Sequence, residues 1–179
     1  FSNGSNVFFD AKKPLSKSAV MDQYMAGLLK YAPDITVFMA PYVNSYKRFA
    51  KGTFAPTRTV WSVDNRTAAF RLVGEGSNSV RIECRIPGSD MNSYLCMAAM
   101  LAAGLKGIEE KLKLPPAYSG DAYENDTENQ IPKTLRDARD ALISSKMLNE
   151  AFGEETVKHY ARAAEWEIEE FNKVVTDYE

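Results

Sequence analysis

Residues 80–86 read Val-Arg-Ile-Glu-Cys-Arg-Ile, a strict alternation of apolar and charged side chains. Successive side chains of an extended strand point to opposite faces, so this period of two fits a half-buried strand and no helix. Val80, Ile82, Cys84 and Ile86 therefore share a face that seeks a core. Arg81, Glu83 and Arg85 project from the other face, spaced roughly 7 Å from one to the next. Two guanidinium groups then flank one carboxylate. Such an array suits joint binding of an anion and a divalent cation, with Glu83 as metal ligand and the arginines on phosphate or carboxylate oxygens. The plainer alternative is an ion-pair ladder facing water, which this stretch alone favours.

What surrounds the strand sets the fold class. Residues 57–63 and 68–73 read as two more strands, with turns at Asp64-Asn65-Arg66 and at residues 74–78. Arg66 in the first turn and Arg71 on the middle strand are placed to join the charged face. Four basic groups there exceed what a structural ladder needs. Helical spacing appears over 16–32, where Ser16 is the expected cap and Pro33 the expected stop. A short apolar stretch, 35–40, follows. Ser89 or Asp90 is the expected cap of a helix running to about 112. It is apolar nearly all round, with small residues (Ala98, Ala99, Ala102, Ala103, Gly104) suited to close burial against the strands. A polar loop over 115–129 leads to helices from 134 to about 153 and from 154 to about 175, the last with an acidic outer face. The class is α+β, with antiparallel strands packed against helices.

Net charge is −2, but it is unevenly spread. Residues 47–85 hold eight basic side chains against three acidic, and six of the eight are arginine; residues 109–179 hold nine against 17. Arginine's planar fork favours bidentate contact with carboxylate or phosphate, whereas lysine would serve solubility equally well. The loop Asn44-Ser45-Tyr46-Lys47-Arg48-Phe49-Ala50-Lys51-Gly52 is also dense in donors, and long loops of this kind tend to be functional. Cys84 and Cys96 sit in apolar settings without metal or redox spacing, which predicts reduced cysteines and a cytoplasmic protein. No run of 18 or more apolar residues offers a membrane span. The start, Phe1-Ser2-Asn3-Gly4, lacks Met and an apolar signal region, and the expectation is a segment of a longer protein.

Asn44-Ser45-Tyr46-Lys47-Arg48, Ala55-Pro56, Asp64-Asn65-Arg66-Thr67-Ala68 and Arg71 stand in a particular order. Arg81-Ile82-Glu83-Cys84-Arg85, Asn92-Ser93-Tyr94-Leu95 and the run Met-Leu-Ala-Ala-Gly-Leu-Lys-Gly-Ile at 100–108 continue it. The set resembles the C-terminal catalytic half of glutamine synthetases, densely over 18–112 and loosely beyond. Such a likeness divides the chain into 17–112 (helix, substrate loop, strands, buried helix) and 113–179 (loop and C-terminal helices), together one partial catalytic domain.

The resemblance implies an ATP-dependent ligase that phosphorylates glutamate's side-chain carboxylate and lets ammonia or an amine displace the phosphate. By position, Glu83 matches the family's metal-ligating glutamate, with Mg2+ or Mn2+ as the cation. Arg48, Arg66 and Arg85 match arginines that handle glutamate and the moving phosphoryl group, Arg66 with a catalytic part. Arg71 and Arg81 match arginines near the nucleotide phosphates. Holding ATP beside a second carboxylate requires many cations, because anions repel in a dry site. The family's site also lies between subunits, which implies a ring-based homo-oligomer.

Two departures from the pattern carry weight. Where ammonia-using members have Gly-x-Glu-Ala-Pro, with a glutamate that helps deprotonate ammonium, this chain has Gly52-Thr53-Phe54-Ala55-Pro56. Phe54 accepts no proton, but its ring face suits an alkyl chain or organic ammonium. The expected branch is therefore the γ-glutamyl-amine synthetases, with Phe54 in the catalytic loop. The family's other metal carboxylates and metal histidine precede the segment given, so the 179 residues alone are expected to be inactive. A catalytically dead regulatory or structural homologue is the alternative. A nucleic-acid module, stacking bases on Trp61 and Phe70, is a third reading that Glu83 argues against.

Overall fold

The computed structural model describes residues 4–124, 130–175 and 177. Helix α1 (Ala19–Met39) is capped by Ser18, whose Oγ accepts the Met21 N–H at 3.1 Å. Ser16, the expected cap, lies outside the helix with a left-handed φ of 53°. Pro33 does not end α1 but sits inside it. A proline in a helix interior costs about 3 kcal/mol. Beyond it Ile35, Val37, Phe38 and Met39 are all buried, and each such side chain stabilises by about 1.5–3 kcal/mol. The apolar stretch 35–40 is thus the helix's last turns, and burial outweighs the break.

Helix α2 (Ser93–Glu109) is capped by Asn92, which accepts the N–H groups of Tyr94 and Leu95 at 3.0 and 3.3 Å. Ser89 and Asp90 precede the cap. The buried small residues of α2, Ala99, Ala103, Gly104 and Gly107, lie on the helix that packs most extensively on α1 rather than on the strands, whereas Ala98 is exposed. Glycine makes this approach possible. A Cβ at Gly27 would lie 2.3 Å from the Ala103 carbonyl oxygen, one at Gly107 2.3 Å from the Gln23 carbonyl oxygen, and one at Gly104 2.1 Å from the Tyr24 ring. The opposite face of α2 is not buried: Tyr94, Met97, Leu101 and Leu105 form an exposed ridge at helical spacing.

Strands β1 (Trp61–Val63), β2 (Phe70–Val73) and β3 (Arg81–Cys84) form one sheet in that order. The pair β2–β3 is antiparallel, as expected, with Arg71 opposite Glu83. The pair β1–β2 is parallel instead, with Trp61 opposite Phe70. Parallel neighbours usually need a dozen or more connecting residues. Here β1 is so short that residues 64–69, able to span roughly 20 Å, suffice for the return, and Asp64 turns the chain back with φ 45°.

Residues 115–124 fasten along the β1 edge. The Tyr118 N–H donates to the Trp61 carbonyl at 2.8 Å, and Ser62 Oγ donates to the Tyr118 carbonyl at 2.7 Å. Helices α3 (Leu135–Ser144), α4 (Lys146–Phe152) and α5 (Glu154–Asn172) close the other side of the core. Thr134 and Asp137 form a capping box on α3. The buried stripe of α5 is Val157, Ala161, Ala164 and Ile168. Phe171 near its end is exposed, and the helix stops at Asn172, short of the expected 175, so Val175 lies beyond it, also exposed.

Candidate active site

The polar face of the sheet and the loop before it hold the charged groups singled out above. Arg71 and Glu83 face each other across the β2–β3 register, and opposed side chains in an antiparallel pair are near neighbours. Arg71 Nη1 donates to Glu83 Oε2 at 3.0 Å, and Arg85 Nη1 donates to Glu83 Oε1 at 2.9 Å. Arg71 also pairs with Asp64, a partner that the turn reading passed over. These hydrogen bonds hold the Arg71 guanidinium above its ordinary pKa, Asp64 contributing most and Glu83 next. Arg71 Nε is buried without a partner among the described residues.

Arg85 links the sheet to two backbone segments. Its Nε donates to the Arg66 carbonyl and its Nη2 to the Phe54 carbonyl, both at 3.0 Å. Those bonds bring the three sequence candidates Arg66, Arg85 and Phe54 together. The Arg66 side chain is exposed beside them. Phe54 is 60% exposed, with a φ of 58°. A bulky residue with positive φ is uncommon and persists only where its surroundings fix it. The Arg85 bond supplies one constraint. Another is Tyr123, whose hydroxyl donates to the Ala55 carbonyl at 2.8 Å. Thr53 supplies a third, its hydroxyl lying 2.7 Å from the Arg48 carbonyl.

Arg48 ends a 3₁₀ turn, Val43–Arg48, within the stretch expected to be a donor-rich loop. Its guanidinium donates to the Ile86 carbonyl. Burial lowers its pKa, opposed by the Asp90 carboxylate and aided by Arg85. Arg81 is the outlying member. It sits at the exposed start of β3, where Nη1 donates to the Ser79 carbonyl at 3.1 Å. It lines a hollow of about 500 Å³ with Asp64, Arg71, Gly74, Glu75 and Glu83.

As it stands, the face is a connected run from Asp64 through Arg71, Glu83 and Arg85 to the Phe54 and Arg66 backbone. Its carboxylates and guanidinium groups are paired with one another, with the Arg71 and Arg85 side chains 17% and 16% exposed and Glu83 38%. Both oxygens of Glu83 are engaged. Among the described residues no group of three metal-binding side chains forms, around Glu83 or elsewhere. Trp61 and Phe70 are buried in the core, which removes the stacking platform of the nucleic-acid reading. His159 lies on exposed α5 surface, its ring edge-on to Tyr160. Cys84 and Cys96 are free, and burial pushes their thiols up to about 12 and about 11. Sequence reasoning missed Asp64, Asp90 and Tyr123, since each reaches the site through tertiary contacts that no periodicity encodes.

The arginines around one glutamate, on a sheet beside a 3₁₀ turn, belong to a chain whose whole length matches one enzyme family. Residues 1–179 match the family model described as the glutamine synthetase catalytic domain, and the chain belongs to that family. It is 46% identical over 162 residues to γ-glutamylethanolamide synthetase GlnA4 of Streptomyces coelicolor, covering 90% of this chain and 35% of that protein. A glutamate–isopropylamine ligase from a Pseudomonas species is 36% identical, with 98% of this chain and 39% of that protein covered. The structure of GmaS in complex with ADP superposes with a TM-score of 0.88 at 29% identity, covering 99% of this chain and 42% of that one. The chain thus spans well under half the length of these relatives. The described helices include none long and apolar enough to cross a membrane.

Proposed function

We propose that this chain is the arginine-bearing part of an ATP-dependent ligase joining glutamate's side-chain carboxylate to an organic amine through γ-glutamyl phosphate. The observation that carries the reading is Phe54. An exposed aromatic ring stands where ammonia-using members carry a glutamate, on a loop whose backbone is bonded to Arg85. A carboxylate there attracts ammonium and takes its proton, whereas a phenyl face favours alkyl chains and organic cations. The named relatives that act on ethanolamine and isopropylamine support the same reading.

Arg48, Arg66 and Arg85 are assigned to glutamate and the transferring phosphoryl group, and Arg71 and Arg81 to the nucleotide phosphates. Glu83 is assigned to a divalent cation, Mg2+ or Mn2+, which would stabilise charge on the phosphoryl oxygens when bound. The arginines' part is positioning and charge stabilisation, since phosphoryl transfer asks for little else from a protein. A cytoplasmic, ring-based homo-oligomer completes the reading. The 179 residues alone are expected to be inactive, because a single carboxylate does not make a two-metal site.

The test is amine-dependent ADP release by the full-length protein, with ammonium, ethylamine, ethanolamine, isopropylamine and a diamine in turn. At least one organic amine should exceed ammonium in kcat/KM by about tenfold or more, a difference that one well-fitted apolar contact can provide. Phe54→Glu should move the preference toward ammonium. Equal or better use of ammonium by the unaltered enzyme would overturn the proposal.

A further inference from the structure

Ser45 and Arg48 lie three residues apart on the 3₁₀ turn, where side chains at that spacing stand one above the other. Ser45 is buried, and its Oγ donates to Asp90 Oδ2 at 2.5 Å while accepting the Tyr42 N–H at 3.1 Å. Asp90 comes from the connection between β3 and α2, so the bond ties the turn to the far end of the charged strand. Gly88 defines the remaining space. A Cβ built there would lie 2.4 Å from Asp90 Oδ1 and 3.6 Å from Arg48 Nε. The carboxylate and the guanidinium therefore flank the one spot that a side chain at position 88 would fill.

Arg48 needs such a neighbour. It is half-buried, it lies within the field of Arg85, and its described hydrogen bond is a single one to the Ile86 carbonyl. Two adjacent guanidinium groups repel, and the repulsion is stronger where water is scarce. A fixed carboxylate nearby offsets it, opposing both the burial and Arg85.

We propose that Asp90 is a positioning residue for Arg48, holding its guanidinium in the orientation that receives a substrate carboxylate. The proposal rests on the assignment of Arg48 to glutamate made above. Asp90 does not touch substrate; it acts through Arg48, with Ser45 fixing its own rotamer and Gly88 leaving it room. Loss of its charge also strengthens Arg48's field, which by itself would tighten anion binding. Positioning outweighs that gain because misplacing a binding group by about 1 Å can cost as much as 100-fold.

The experiment measures KM for glutamate, KM for ATP, kcat and Tm in the full-length protein for Asp90→Asn, Gly88→Ala, Arg48→Lys and the Asp90→Asn/Arg48→Lys pair. Asp90→Asn keeps an acceptor for Ser45 and removes only the charge. Gly88→Ala keeps the charge and displaces it, since the atom in the way is the mobile end of a side chain. Each should raise KM for glutamate about tenfold while KM for ATP and Tm stay near their starting values, and the double variant should be no worse than Arg48→Lys. An unchanged or lowered glutamate KM overturns the proposal, as does a parallel rise of both KM values with a fall in Tm. If Arg48→Lys lowers glutamate affinity and Asp90→Asn does not, the proposal alone fails. If Arg48→Lys leaves glutamate binding intact, the assignment of Arg48 fails and the proposal falls with it.

Discussion

The α1–α2 crossing and the arginine face of the sheet achieve fixed geometry by opposite means. At the crossing, Gly27 and Gly107 bring two backbones together, and any added atom meets a carbonyl oxygen or a Cα that cannot yield. On the sheet, long side chains with several rotatable bonds are held by one another's charges. Close packing of backbone tolerates no change of partner, whereas a ladder of ion pairs accepts a substitute anion wherever a carboxylate can step aside. A scaffold benefits from the first property, and a face that exchanges its ionic partners would benefit from the second.

The sharpest way to break this contrast is one methyl group. Gly27→Ala puts a Cβ 2.3 Å from the Ala103 carbonyl oxygen and 2.8 Å from Gly107 Cα. Overpacking against atoms that cannot move should cost about 3 kcal/mol or more of stability. Urea denaturation of this chain would read it as a lower midpoint. A loss below about 1 kcal/mol would show that the helices slide apart freely. Glu83→Gln is the counterpart on the sheet. It leaves Arg71 and Arg85 with a neutral acceptor on a partly exposed surface, where such pairs are worth about 1 kcal/mol or less. Stability should hardly move. With Glu83 as the proposed holder of the divalent cation, activity of the full-length protein should fall by about 100-fold or more, the scale expected when stabilisation of transition-state charge is lost. A large stability loss with activity retained would make Glu83 part of the ladder only.

How much of this was legible beforehand depended on whether the deciding force was local. Alternation over 80–86 placed Glu83 between Arg81 and Arg85 on one face, because strand geometry alone dictates it. The helices were visible in their periodicity. The stop at Pro33 was not, since a local rule predicts a break and the burial of Ile35, Phe38 and Met39 overrides it. The cap of α2 was misplaced for a related reason: Asp90 has the right chemistry for a cap, yet its carboxylate is drawn to Ser45 and the neighbourhood of Arg48. The parallel β1–β2 pair was hidden because a short turn signal reads the same whether the chain pairs with itself or doubles back. Of the site, residue types and order were legible; the convergence of Arg85 on the Phe54 and Arg66 carbonyls was not, because it depends on how the loop folds over the strand end.

The smallest effect belongs to the outer face of α2, and it bears on how far the scaffold extends. Ala99, Ala103 and Gly104 on the inner face are buried, whereas Leu101 and Leu105 on the outer face are 52% and 53% exposed. Apolar burial stabilises by about 25 cal/mol per Å² removed from water, so a leucine left half in water contributes little to this chain's fold. Replacing both by glutamine preserves helix propensity, since leucine and glutamine rank close together. Stability of the chain should therefore change by no more than about 0.5 kcal/mol per site, the usual range for surface substitutions, as read by denaturant midpoint at constant m-value. A larger loss would mean that the ridge is part of the scaffold in solution, and the contrast between packed crossing and open surface would then have to be drawn elsewhere on the helix.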